Sequence, residues 1–386
     1  MSVFCQARPA VTGPTATGGI VAAIACISLF ALTLGMSYPL LALQLEARGI
    51  SETIIGLNAA MTPLGLILIA FILPRLAGSV GAWQLVAGSI GATLLLLIAL
   101  AVFDSLAIWF VLRLLLGVSI AAPYTVSETW INQLAPPGQR GRILGLYAMC
   151  LSLGFALGPL LLPLAGTEGW RPFVIAAGCA AIALIPVIRY RHQLPGFSDT
   201  RSVSVWRFIS IAPALLIAVA VFGLFDAVTM TLLPVYGIGQ GLTETEALYG
   251  LGFAITGCIV MPYPIGWLAD RWSGHRMMIG CALVAILGCA IIPLAVGDYL
   301  YYWSVLFLWG GIAFSVYTLA LTELGNRFSG SVLLAGNAAF GVMWGIGGIV
   351  GPPMGGSAMQ WLGNHGLLAV IAASYSLLVV ITVSRR

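Results

Sequence analysis

Residues 215–236 read LLIAVAVFGLFDAVTMTLLPVY, and this stretch decides the fold: its twenty-two positions carry a single charge, Asp226, near the middle. A run of about 20 apolar residues is what crosses a bilayer as a helix, because lipid offers an exposed backbone no hydrogen-bond partner. The rest of the chain repeats the pattern. Of 386 residues, 60% are hydrophobic and 7% charged, against roughly 25% charged in a soluble domain. Uncharged runs long enough to span separate Arg8 from Glu46, Glu52 from Arg75, Arg75 from Asp104, Arg142 from Glu168 and Arg327 from Arg385. Composition therefore excludes a water-soluble globule and points to an all-α polytopic membrane protein embedded in the lipid bilayer.

Apolar runs broken at turn residues place twelve transmembrane helices at 20–45, 53–77, 83–103, 105–131, 141–165, 171–189, 208–238, 246–269, 276–296, 299–325, 331–361 and 366–384. Residues 1–19, MSVFCQARPAVTGPTATGG, are expected to form a short cytoplasmic tail, since the apolar run after them is too long for a cleaved signal. With both termini cytoplasmic, that side receives Arg8, Arg75, Arg140, Arg142, Arg189, Arg191, Arg201, Arg207, Arg271, Arg276, Arg327, Arg385 and Arg386, and the other side only Arg48 and Arg171. Basic residues follow the cytoplasmic loops, so thirteen against two fixes the expected orientation. The net charge of +4 is dispersed among loops and gives nucleic acid no patch to bind. The seven cysteines form no C-x-x-C and lie mostly within apolar runs, so neither a metal site nor any cofactor is expected and helix packing is their simplest role.

The polar stretch RYRHQLPGFSDTRSVSVWR, 189–207, divides the chain into a six-span bundle at 20–189, a cytoplasmic linker at 190–207 and a second bundle at 208–386. The halves resemble each other. At an offset of 194, Asp104 falls on Asp298, Trp109 on Trp303, Gly117 on Gly311, Asn132 on Asn326 and SETIIGL at 51 on TEALYGL at 245; at one residue less, GP at 158 falls on GP at 351 and Tyr147 on Phe340. An even number of spans per copy gives both the same orientation, related by an axis along the membrane normal.

Several motifs add to this. GWLADRWSGHR (266–276) follows span 8, RLLLG (113–117) lies in span 4, GIVGPPMGG (348–356) lies in span 11, and ETWINQLAPPGQRGRILGLY (128–147) runs from span 4 to span 5. Together with the two six-span halves, they resemble the major facilitator superfamily, in particular a subfamily of small bacterial permeases. The loop signature G-x-x-x-D-R-x-G-R keeps Gly266, Asp270, Arg271 and a later Arg276, whereas its first-half counterpart FILPRLAGSVG keeps only Arg75. The span 11 motif is that of drug antiporters, displaced from its usual place in span 5. The resemblance implies twelve helices in two pseudo-symmetric bundles, alternating access, a bacterial inner-membrane location, a monomer, and a small-molecule substrate moved with protons, with export favoured.

Physics supplies candidate residues. Gly347, Gly351 and Gly355 recur every four residues, a stripe that lets a neighbouring backbone approach, and Pro159 and Pro352 each remove a backbone donor within a span. Arg75, Glu128, Arg140 and Arg142 in one half, and Asp270, Arg271, Glu323 and Arg327 in the other, fall near the cytoplasmic ends and are expected to form an ion-pair gate; the plain alternative is static loop anchoring. Asp226 and Arg113 lie deeper, at depths that agree by residue counting, and either charge alone costs about 2.5–3.5 kcal/mol at a helix centre. Low dielectric disfavours an ionised carboxylate and a nearby guanidinium favours it, so Asp226 is read as proton acceptor and Arg113 as the charge that tunes it; a static buried pair or a water-facing Asp is the alternative. Tyr38, Asn58, Tyr124, Tyr147, Tyr236, Tyr263, Tyr317, Asn337 and Trp344 are the candidate cavity lining, although any single Tyr or Trp equally suits packing or the interfacial belt. A passive facilitator shares everything but titration of Asp226, a proton-symport importer of a small polar metabolite is the other alternative, and a transport-dead sensor is a remote one. A membrane enzyme has no support from H-E-x-x-H or G-x-S-x-G, and the three histidines fall in loops.

Overall fold

The computed structural model describes residues 14–70, 72–136, 139–195, 211–269, 271–328 and 330–384. The first half contains α1 (Pro14–Ala47), α2 (Glu52–Ala70), α3 (Leu73–Val80), α4 (Ala82–Val102), α5 (Leu106–Leu134), α6 (Arg140–Ala165) and α7 (Arg171–Arg189). The second contains α8 (Pro213–Gly239), α9 (Glu244–Val260), α10 (Pro262–Ala269), α11 (Gly274–Ala295), α12 (Tyr299–Arg327), α13 (Gly330–Leu362) and α14 (Gly366–Ser384). Apart from the short α3 and α10 these are twelve long helices, and eleven of the spans among the described residues are long and apolar enough to cross a membrane. The six described cysteines that lie within them are free thiols.

Two expected spans are broken. Span 2 stops at Ala70 and resumes as α3, with Pro74 in its first turn; span 8 stops at Val260 and resumes as α10 at Pro262. Proline has no N–H to give the preceding turn, so each helix loses a backbone bond there, although Met261, just before Pro262, keeps helical angles. The breaks occupy corresponding places in the two halves, just before the loops FILPRLAGSVG and GWLADRWSGHR are completed. Span 7 begins at Pro213, five residues later than expected from the hydropathy, and the central part of the linker lies outside the described residues.

Packing repeats the internal symmetry. Within the first half α1 packs on α5, α6 and α7, α2 on α5, and α4 on α5 and α7; within the second α8 packs on α12, α13 and α14, α9 on α12, and α11 on α12 and α14. Each contact in one list has its counterpart six spans on. Between the halves α2 meets α13 and α6 meets α9, an exchange-symmetric pair, while α1 meets α8.

Small residues set how close these helices come. A Cβ on Gly65 would strike the Leu114 carbonyl of α5, and one on Gly257 the Phe307 carbonyl of α12, the same crossing in each half. The described ends of α1 and α14 lie on one face, called here the termini face. A threonine capping box, in which Thr243 N donates to Glu246 Oε2 at 2.8 Å and Glu246 N donates to Thr243 Oγ1 at 3.3 Å, starts α9 on the far face.

Replacing Gly257 with Leu drives a side chain into the α12 backbone and is expected to cost about 1–3 kcal/mol or more, read as a lower melting midpoint in detergent. Gly145→Leu, at a position with open space around it, is expected to leave that midpoint unchanged.

Candidate functional site

The seam between the halves is tight toward the far face. Along α13, Gly356 lies against the Glu52 carbonyl of α2, Gly348 against Pro63 and Gly345 against Ile67, while Gly56 of α2 lies against the Pro352 carbonyl. The opposite stripe of α13, Gly347, Gly351 and Gly355, faces α8 at Ala220, Leu224 and Leu232. One helix thus serves two backbone approaches, on two faces. Thr53 of α2 hydrogen-bonds Gln360 of α13, and Thr167 after α6 hydrogen-bonds Glu244 of α9. Gln44 braces that loop by donating to the carbonyls of Thr167 and Gly169 at 3.0 and 3.1 Å. Toward the termini face the contacts fade: Gly341 has open space, and Asn337 and Ala338 are exposed. The halves therefore enclose a cleft sealed at the far face.

Asp226, midway along α8, is half-buried there and accepts a hydrogen bond at Oδ2 from Trp344 Nε1 of α13 at 3.2 Å. Tyr38, Tyr124 and Tyr317 are also half-buried. Tyr317 stacks on Phe222 of α8 at 4.8 Å, and Phe222 meets Phe314 edge-on at 4.9 Å, so an aromatic wall backs the second half's share of the cleft.

Arg113 sits deeper in the first half, 1% exposed. Its Nε donates to Thr62 Oγ1 at 3.3 Å and its Nη1 to Asn58 Oδ1 at 3.1 Å, both on α2, and its guanidinium lies 5.9 Å from the Tyr38 ring. No ion pair joins Arg113 to Asp226. Their depths differ: Arg113 is seven residues into α5 from the far face, whereas Asp226 is thirteen residues before the end of α8, an offset of about 9 Å at 1.5 Å per residue. Residue counting from the hydropathy made them level; the two helix ends lie within one residue of those expected, and counted from them the charges are offset.

The remaining candidates divide. Asn58 is fully buried on Arg113, and Tyr147 is buried with its hydroxyl 2.9 Å from Ser127 Oγ, which ties α6 to α5 within one half. Tyr236 is buried near the far end of α8, nearly three turns from Asp226, and Tyr263 is 83% exposed on α10 beyond the Pro262 break, so neither stands beside Asp226. Of the expected gate, Glu323 accepts from Arg327 Nε at 2.6 Å within α12, and Arg271 stacks over Trp267 at 3.4 Å. Arg75 and Glu128 are exposed and make no ion pair among the described residues. Arg140 and Arg142 stand in the first turn of α6, and Asp270 lies outside the described residues. The structure thus brings no gate pair together across the halves among the described residues. Sequence reading missed Thr62 and Phe222; Thr62, four residues after Asn58, was recoverable from helical spacing alone.

Two fused six-helix halves around a cleft sealed at one face define a polytopic membrane carrier. The Major Facilitator Superfamily model matches residues 23–352, and the chain belongs to that superfamily of membrane transport proteins. It is 25% identical over 362 residues to the uncharacterized MFS-type transporter YfkF of Bacillus subtilis (strain 168), covering 91% of each chain. It is 26% identical over 282 residues to the uncharacterized MFS-type transporter YE1530 of Yersinia enterocolitica, covering 72% of each. Among solved structures, the fold is similar to the nucleoside transporter NupG, with a TM-score of 0.78, 12% identity, and 96% of this chain and 99% of that one covered. It is also similar to a bacterial homolog of the human lysosomal transporter Spinster in an inward-facing, unoccupied conformation, with a TM-score of 0.75, 14% identity, and 97% and 96% covered.

Asn58→Leu leaves a second Arg113 nitrogen without an acceptor, at a cost of about 1–3 kcal/mol. The expected result is a clearly lower melting midpoint, whereas Asn337→Leu, at an exposed position, is expected to change it little.

Proposed function

We propose that the protein is a secondary active transporter that moves a small organic molecule across the bacterial cytoplasmic membrane by alternating access, coupled to protons and directed outward. The observation that carries this reading is a single carboxylate, Asp226, half-buried in a cleft that is sealed at the far face by backbone contacts between the halves. In this reading the termini face is cytoplasmic, as the arginine distribution implies. The cleft then opens inward, a state like the one named for the Spinster homolog.

Asp226 is the proton acceptor. Trp344 supports its ionised form by donating one hydrogen bond, and Tyr38, Tyr124, Cys258 and Tyr375 are within electrostatic reach of it, none of them basic. Losing that indole contact when α13 moves would shift the balance toward the protonated acid. Arg113 acts from the first half at a distance, held by Asn58 and Thr62. In the opposite state the charges toward the termini face, Arg75, Glu128, Arg140, Arg142, Asp270, Arg271, Glu323 and Arg327, close the inner gate. The single arginine at depth favours a cargo of low net charge over a multiply anionic one.

Protein in liposomes with a trapped pH indicator tests the reading against a panel of neutral, cationic and singly anionic aromatic compounds. At least one class is expected to drive proton movement in wild type and none in Asp226→Asn. Substrate flux without proton movement in wild type would identify a passive facilitator instead.

A further inference from the structure

Two ions of opposite sign approach the cleft from opposite halves, and neither has an ionic partner among the described residues. Arg113 on α5 touches only neutral groups, Asn58, Thr62 and the Tyr38 ring. Its Nη2 and the neighbouring Asn58 Nδ2 are buried donors without an acceptor, on side chains 1% and 0% exposed. Such donors are costly to leave unpaired, and an isolated guanidinium costs more. Across the cleft, Asp226 uses Oδ2 on the Trp344 indole, and its other oxygen makes no hydrogen bond among the described residues. Tyr38 lies within electrostatic reach of both charges. The two ions therefore address one shared aromatic surface from its two ends.

Direct pairing is not what the geometry provides. Arg113 is held toward the far face by two α2 side chains, about 9 Å off Asp226 along the helix axes by residue count. A ligand with one charge would satisfy one end and leave the other uncompensated in a poorly hydrated place. A ligand with both charges satisfies both, and it bridges the halves.

Building on the transport reading above, we propose that the cleft takes a zwitterion whose charged ends are separated by a chain of several atoms. Its carboxylate takes the free Nη2 of Arg113 and Nδ2 of Asn58. Its ammonium meets the open oxygen of Asp226 beside the Trp344 ring, whose face attracts cations. The apolar middle lies along Tyr38, nine residues from the far-face end of α1 and so between the two charges in depth. Net charge stays zero, which agrees with a cavity that offers one ion of each sign.

The test is a thermal-shift titration of the full-length protein in detergent with ω-amino acids of increasing chain length, beginning with glycine. Matched n-alkylamines and n-alkanoates serve as single-charge controls. Affinity is expected to peak at an intermediate chain, with glycine weak, and to exceed either matched control by about tenfold or more at the peak. Asp226→Asn should lower the zwitterion to the level of the alkanoate, and Arg113→Gln to that of the alkylamine. The wild-type comparison across ligands stands even if the Arg113 variant does not fold. An amine or an acid that binds as tightly as the zwitterion, or no dependence on chain length, overturns the proposal. Either result leaves the proton-flux test to decide the transport reading by itself.

Discussion

The backbone approaches made by α13 are the constraint on which the rest depends. Lipid gives apolar side chains little reason to prefer a neighbouring helix, so close packing of small residues has to supply the association. Along α13 the glycines at 347, 351 and 355 serve α8, and those at 345, 348 and 356 serve α2. The same helix therefore belongs to its own bundle on one side and forms the seam on the other. Pro352 and Pro353 lie within the seam and remove two backbone donors, so the helix is locally weakened where it meets Gly56. Trp344, on the same helix, packs its backbone on Gly223 and gives its indole N–H to Asp226. The seam and the acid are mechanically joined.

That link gives the buried charge a use. A carboxylate at mid-membrane is expensive, and a static role would be met by a full set of donors or by a guanidinium at contact distance. Asp226 has neither; one indole holds it, on the helix that forms the seam. Arg113 is the reverse case, tightly seated by Asn58 and Thr62 yet with a free donor. In the proposed mechanism, a lightly held acid and a firmly seated arginine in opposite halves let cargo and proton sense the same rocking motion.

Most of the fold was legible in the sequence because bilayer physics leaves few choices: runs of the right length must be helices, and the span at 171–189 matches α7 end to end. The repeat, seen as Gly117 over Gly311, reappears as equivalent glycine contacts between spans 2 and 4 and between spans 8 and 10. The breaks before α3 and α10 were hidden because hydropathy continues across a proline even where the helix does not. The site was legible in its charges and illegible in its contacts. Hydropathy finds Asp226 and Arg113 as intruders, but whether they meet depends on packing, and Tyr263, exposed on α10, shows that an aromatic within an apolar run need not line the cleft. An aromatic such as Phe222 blends into any apolar run; only packing shows that it backs Tyr317.

The central claim is that the halves rock about a seam that is closed at one face when the other is open. Pulsed electron-resonance distances in lipid test it most directly, with spin labels on Arg48 and Trp361 at the far face and on Ser79 and Ser273 at the termini face, at two pH values. The account predicts two populations in which a short far-face distance accompanies a long termini-face distance, and the reverse. A single distance at both faces, unmoved by pH and by ligand, would contradict it.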